Sequence, residues 1–287
     1  MRIYFYARTD HRGDLDRLRR SAALAKEFDD VYFMTTDFRA ASYLKELGIR
    51  KSVGIEDVRN ISNVCQRGDV LVFDSDEHLE ANLHEEMIDF FKTFIRISYD
   101  PKDTPKDGEI LISPYIVGQN VINAVLIDKE YFKKSEKDIQ RCYFWGDSDY
   151  EKRLLKLAPK LKEYELDFLE GFYFFVEYVK ELKEYFKNIH EIEEYEDVIK
   201  RSRIFVSSSP QTALEAAAAG AKTIFFPKYE SEYAQLLERV GVVNMGYEIE
   251  KLQEAILKAK EGDREFLKRM GVERAAEKIK EILGFQT

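Results

Sequence analysis

Hydrophobic and polar positions change their period at short, regular intervals along this chain. RIYFYA (Arg2–Ala7) is a short β-rich run, and LDRLRRSAALAKEF after it repeats its apolar residues at helical spacing. DVYFMTT predicts a second strand and Phe38–Leu47 a helix. Asp69–Ser75 predicts a buried strand, His78–Lys92 a helix and Thr93–Tyr99 another strand. Asp100–Glu109 lacks apolar periodicity and is expected to be a loop, with Asn123–Asp128 as a late strand. Near Lys129–Lys137 the composition turns charged and the pattern restarts. QRCYFWGDSDYEKRLLKLA predicts strand, short loop and helix. A strand near Tyr164–Leu169, a helix through Val176–Phe186, a short strand near Ile189 and a helix at Tyr195–Ser202 follow. RIFVSS, QTALEAAAAG, KTIFFP and SEYAQLLERVG then predict strand, helix, strand and helix. Two further helices, Glu248–Lys260 and Arg264–Leu283, close the chain.

Alternating strands and helices predict an α/β protein with parallel sheets. One architecture used twice predicts two Rossmann-like domains facing across a cleft, residues 1–133 and 134–287, the last helix able to cross back to the first. Ligands in such sheets sit at the carboxyl ends of strands.

Composition narrows the classes. The chain has 287 residues, 45% hydrophobic, enough for two cores. Its formal net charge of -9 argues against a general nucleic-acid or anionic-membrane binder. Charged residues make up 34%, rich in Lys and Glu, a balance common in proteins from hot environments. Cys65 and Cys142 match no metal spacing and are expected to be free buried thiols of a reducing cytoplasm. No apolar stretch reaches spanning length, so the expected location is cytoplasmic. No strand is followed by Gly-x-Gly-x-x-Gly, which disfavours a dinucleotide oxidoreductase.

The segment SSSPQTALEAAAAG (Ser207–Gly220) carries the strongest candidate chemistry. Ser209 is placed as an N-cap and Pro210 at the first helical position. The N–H groups of Gln211 and Thr212, with the helix dipole, would form an anion site. Ser208 and Thr212 would add hydroxyls, and Glu215, one turn on, could accept from a ribose. The same residues also describe an ordinary helix start.

SSSPQTALEAAAAGAKTIFFPKYESEYAQLLERVG resembles the nucleotide-binding stretch of GT-B sugar-nucleotide enzymes, more closely that of the UDP-sugar hydrolase of pseudaminic acid biosynthesis. The resemblance implies that Ser208, Ser209 and Thr212 hold UDP phosphates, beside the Gln211 N–H, and that Glu215 binds the ribose. Tyr229 and Glu230 stand where that family has Asn-Gln, which makes Glu230 a nucleotide-side candidate. RTDHRGDLDRLRRSAALAKEFDDVYFM, NAVLIDKEYFKK and YFWGDSDYEK are similar to its first loop, inter-domain stretch and Gly-Gly-Thr-Asp loop, in that order. The family's catalytic His falls on Arg17, which stays charged and cannot act as a base. His11 and Asp14 are the replacement candidates in the same loop. Arg17 is then expected to clamp phosphate or sugar, and Arg8, Arg12, Gly13, Asp74, Gly146 and Ser148 to border the substrate. Arg19 and Arg20 are expected on a solvated helix face.

Asp74, Asp76 and His78 could hold a divalent metal, but a capped helix start is the more common meaning, and no metal or cofactor is expected. Asp147 and Asp149 would repel a diphosphate, so their loop is expected to face the sugar or cap its helix. The run Gly171–Val179 is expected in the core. The expected function is UDP-sugar hydrolysis or glycosyl transfer, in surface-glycan or nonulosonic-acid metabolism, by a monomer or homodimer. The alternative is a relative that binds a nucleotide sugar or a partner without turnover.

Overall fold

A computed structural model describes residues 1–80 and 82–285. They form two compact units: residues 1–10, 17–128 and the segment from Arg269 onward make the first, and residues 11–16 with 129–268 the second.

The first unit contains β1 (Ile3–Ala7), β2 (Val31–Thr35), β3 (Ser52–Gly54), β4 (Val70–Asp74), β5 (Thr93–Ile97), β6 (Glu109–Ser113) and β7 (Val121–Asn123). They pair in the order β3-β2-β1-β4-β5-β6-β7, every pair parallel. β1 lies at the centre, with Ala7 opposite Thr35 on one side and Asp74 on the other. Both faces of a parallel sheet are covered, so all five residues of β1 and of β4 are buried.

Three expectations change here. β3 and β7 are only three residues long, and β6 starts at Glu109, the end of the expected loop; none of the three was expected. The strand expected at Asn123–Asp128 ends at Asn123; Ala124 to Ile127 are fully buried, but the Val125 N–H donates to the Met270 carbonyl instead of to the sheet. The expected helix His78–Lys92 becomes a turn at Glu77–Leu79 and a helix at Leu83–Phe90, because Asn82 takes a left-handed φ of 63°. Ala81, inside that expected helix, lies outside the described residues.

The expected closing helix is two, Arg264–Arg269 and Val272–Leu283. The second buries Val272, Ala275, Ala276 and Ile279, a 3–4 spacing that forms one apolar stripe on the first unit.

The second unit contains β8 (Ile139–Phe144), β9 (Asp167–Leu169), β10 (Ile189–His190), β11 (Ser202–Ser207), β12 (Lys222–Phe225) and β13 (Val243–Asn244). Their order is β10-β9-β8-β11-β12-β13, again all parallel. The order reverses between β8 and β11, the point where such sheets open a crevice at their carboxyl ends. The core on one side of this sheet includes Leu154, Leu182 and a Phe168–Phe186 stack at 4.6 Å. Of the aromatic run, Tyr173 and Tyr178 are buried as expected, but Phe175 and Val176 are each 70% exposed. Both cysteines are free and buried, and burial pushes the Cys65 thiol up to about 12.

Candidate functional site

The carboxyl end of β11 runs into the helix Pro210–Ala218. Ser209 is its N-cap: the side chain accepts the Thr212 N–H at 3.1 Å, and Pro210 opens the first turn. Gly220, at φ 79°, lets the chain leave the helix, and four consecutive alanines keep the helix close to its sheet. The cap expected from sequence is therefore present residue for residue.

The surroundings were not expected. Ser208, Ser209, Gln211, Thr212 and Glu215 are all at most 3% exposed. Their hydroxyls form a closed network. Ser208 Oγ meets Tyr143 Oη at 3.0 Å, and Thr212 Oγ1 meets Tyr195 Oη and Ser209 Oγ at 2.7 Å each. Glu215 accepts from Tyr195 Oη at 2.7 Å and Gln211 Nε2 at 3.2 Å, so an incoming ribose would compete with both. Burial pushes the Tyr143 phenol far up, which keeps it a neutral partner for Ser208.

The helix start already faces an anion. Ser209 Oγ donates to Asp16 Oδ1 at 2.6 Å, and the Gln211 N–H reaches Asp16 Oδ2 at 3.5 Å. Asp16 also stands in the first turn of the helix Asp16–Ala25, a position that favours negative charge. The loop that delivers it is pinned at two more points. Asp14 accepts from Lys228 Nζ at 2.7 and 2.9 Å and from the Asp147 N–H at 2.9 Å. Asp147, fully buried, in turn accepts the Leu15 N–H at 2.8 Å.

Gly146 makes this approach possible. Its φ is 122°, and a Cβ there would fall on Asp14 Oδ1 and 2.5 Å from Lys228 Nζ. Trp145, beside it, is buried with Lys228 Nζ 5.6 Å from the ring. Ser148 is buried, Gly13 half-buried, and His11 and Glu230 are exposed. The Arg12 guanidinium lies 4.7 Å from the Tyr150 ring. Asp149 accepts the N–H groups of Arg153 and Leu154, so this acid caps the helix Arg153–Leu161.

In the first unit the remaining candidates gather at the carboxyl ends of β1 and β4. Asp74 has no exposure and accepts from Arg20 Nε at 2.7 Å and Ser21 Oγ at 2.9 Å, with a second Arg20 bond to its other oxygen. Arg19 and Arg20 are thus corrected to buried residues, 4% and 5% exposed. Arg17 pairs with Asp76 at 3.0 Å, and Arg8 with the same oxygen at 3.4 Å. Burial would raise the Asp76 carboxyl, but the Arg17 hydrogen bond and charge hold it below the usual carboxylate range. His78 Nδ1 lies 3.0 Å from the Ser75 carbonyl, and burial lowers its pKa. Among the described residues no three His, Cys, Asp or Glu side chains converge as metal ligands.

Sequence reasoning missed Asp16, Lys228, Tyr143 and Tyr195, and expected of Asp147 only that its loop faces the sugar or caps a helix. Asp16, Lys228 and Tyr143 meet their partners 65 or more residues away, and Tyr195 meets its partners 17 and 20 residues on.

No family model matches the chain, and no curated protein sequence matches it. Solved structures do. UDP-GlcNAc 2-epimerase of Methanocaldococcus jannaschii, in complex with UDP-GlcNAc and UDP, is 14% identical, with a TM-score of 0.61 over 100% of both chains. The Neisseria meningitidis UDP-GlcNAc 2-epimerase, bound to UDP-GlcNAc, is 12% identical, with a TM-score of 0.60 over 100% of both. The glycosyltransferase VinC, in complex with dTDP, is 10% identical, with a TM-score of 0.56 over 99% of both. At these identities the likeness is one of fold: two parallel α/β sheets of the GT-B type. Among the described residues no helix is long and apolar enough to cross a membrane.

Proposed function

We propose that this chain is a GT-B sugar-nucleotide protein that takes a UDP-sugar at the start of the helix Pro210–Ala218, and acts on it as a hydrolase or glycosyltransferase. One observation carries the reading: the capped helix start at the β8/β11 switch point holds the carboxylate of Asp16. A carboxylate and a phosphate ask the same of such a site, namely oxygens facing oriented N–H and O–H donors. The bound nucleotides of the similar epimerases and of VinC support the choice of ligand. In this reading Asp16 is a competitor that withdraws when the diphosphate arrives. Ser208, Ser209, Gln211 and Thr212 then receive the phosphates, Glu215 turns from Tyr195 to the ribose, and Glu230 lies on the nucleotide side.

For the chemistry, His11 is preferred over Asp14 as the base. Asp14 is already engaged by the Lys228 ammonium and the Asp147 N–H, whereas His11 is exposed. Arg12, in the same loop, supplies positive charge for the leaving diphosphate, and a proton moves from water or an acceptor hydroxyl to His11.

The second reading, binding without turnover, is favoured by the arginine at position 17 and its ion pair with Asp76. Thermal unfolding with UDP and UDP-sugars separates the cases. A nucleotide at 100 times its Kd should stabilise by about 2.7 kcal/mol. Binding with UDP release that falls about 100-fold in His11→Ala supports the enzyme. Binding without release supports the second reading, and no binding by wild type or by Asp16→Ala removes both.

A further inference from the structure

The opposite end of the second sheet holds a cavity of about 530 Å³ that the proposed function does not use. It opens at the amino ends of β8, β11 and β12, away from the switch point, and every residue lining it belongs to the second unit. Its volume lies in the range that takes small organic ligands.

Its walls are cationic in an acidic protein. Lys137, Arg141, Lys187, Arg203 and Lys222 face it, against only Glu165 and Glu261. Lys187, Arg203 and Lys222 are exposed, and no ion pair reaches them among the described residues. Arg141 donates one N–H to the Tyr164 carbonyl at 3.1 Å, which fixes the guanidinium at the wall.

Lys137 is the informative residue. Its ammonium nitrogen is shielded from solvent and has no hydrogen-bond partner among the described residues. Arg264, a second cation, acts on it unfavourably, and Glu261 favourably. An ammonium out of water without a partner is costly and is found where something else completes its shell. Helix polarity does not oppose an anion here. The last turn of Pro210–Ala218 ends near the cavity at Gly220, but Arg264 Nε donates to the Ala218 carbonyl at 2.8 Å and neutralises that end.

We propose that this cavity is a second anion site, taking a small phosphorylated metabolite with two or more phosphate charges. Lys137 supplies the shielded contact at its wall, and Lys187, Arg203 and Lys222 draw the ligand in from solvent.

The test is calorimetric titration of the full chain with inorganic pyrophosphate at low salt, alongside UDP. Wild type should bind pyrophosphate, and binding should weaken as salt rises. The double variant Lys187→Glu/Arg203→Glu changes exposed residues, and its circular dichroism should match wild type. Its pyrophosphate affinity should fall by about tenfold or more, with UDP binding unchanged. Lys137→Met should weaken pyrophosphate in the same direction. The proposal is overturned if wild type does not bind pyrophosphate, or if all variants bind it as wild type does. It is equally overturned if duplex DNA or a poly-glutamate peptide binds more tightly than pyrophosphate and is lost in the same variants.

Discussion

The two ends of the second sheet solve opposite electrostatic problems. At the carboxyl end the donors of a helix start, a lysine and a backbone amide are all answered by carboxylates of one loop, Asp14 and Asp16. At the amino end five cations surround a cavity, and the ammonium of Lys137 is answered by nothing described. One end supplies its own anion from within the chain; the other leaves room for one. A self-supplied carboxylate adds stability and holds ligands off until it moves. An unanswered cation subtracts stability and offers a standing binding free energy to whatever anion arrives.

That contrast can be broken most forcefully at Lys228. Lys228→Met leaves the Asp14 carboxylate, only 18% exposed, without its ion pair. Urea unfolding should show a loss of about 3 kcal/mol, the cost typical of orphaning one member of a buried pair. A loss below about 0.5 kcal/mol would mean that the loop is held by other means.

Gly146→Ala comes next. The added methyl collides with the Asp14 carboxylate, and an alanine at φ 122° is strained in any space. The expected loss is about 1–3 kcal/mol. Faster amide exchange in residues 11–16 should accompany it, and unchanged exchange there would show that the loop is seated independently of Gly146.

Asp16→Ala removes the internal competitor. Stability should fall by about 1.5–3 kcal/mol, the worth of a charged hydrogen bond. UDP affinity should rise by about tenfold over wild type under the proposed function. A fall in both would assign Asp16 a purely structural part.

The effect at the amino end has the opposite sign. Burial, reinforced by Arg264, lowers the Lys137 pKa to about 8 from an ordinary value of 10.5. Between those values the unfolded chain holds the proton and the folded chain does not, so stability rises with pH across that window. The penalty is full below about 8 and gone above about 10.5. Lys137→Met should therefore be more stable than wild type at pH 7, and the gap should close as pH rises to 10.5. Pyrophosphate affinity should decline as pH rises through about 8, where Lys137 of the folded chain loses its charge. A gap that does not change with pH would show that Lys137 is not the titrating group.

Much of this was legible before any coordinates. The strand ending at Ser207, the cap at Ser209, the proline at the first helical position and the glycine beyond the helix follow from local rules acting within a few residues. The central strands of both sheets were readable because burial on two faces demands continuous apolar runs. The edge strands β3, β7 and β13 are two or three residues long, too short for any period to register.

What the linear chain determined, then, is each element and its ends, because hydrophobic period, capping and backbone preference act between near neighbours. The folded chain alone decided what each end meets. Asp16 lies 193 residues before Ser209, and Asp14 lies 214 before Lys228. Whether a helix start meets a ligand or a carboxylate of its own chain depends on that distant pairing, and so does whether Lys137 finds a partner. Neither leaves a periodic mark in the sequence.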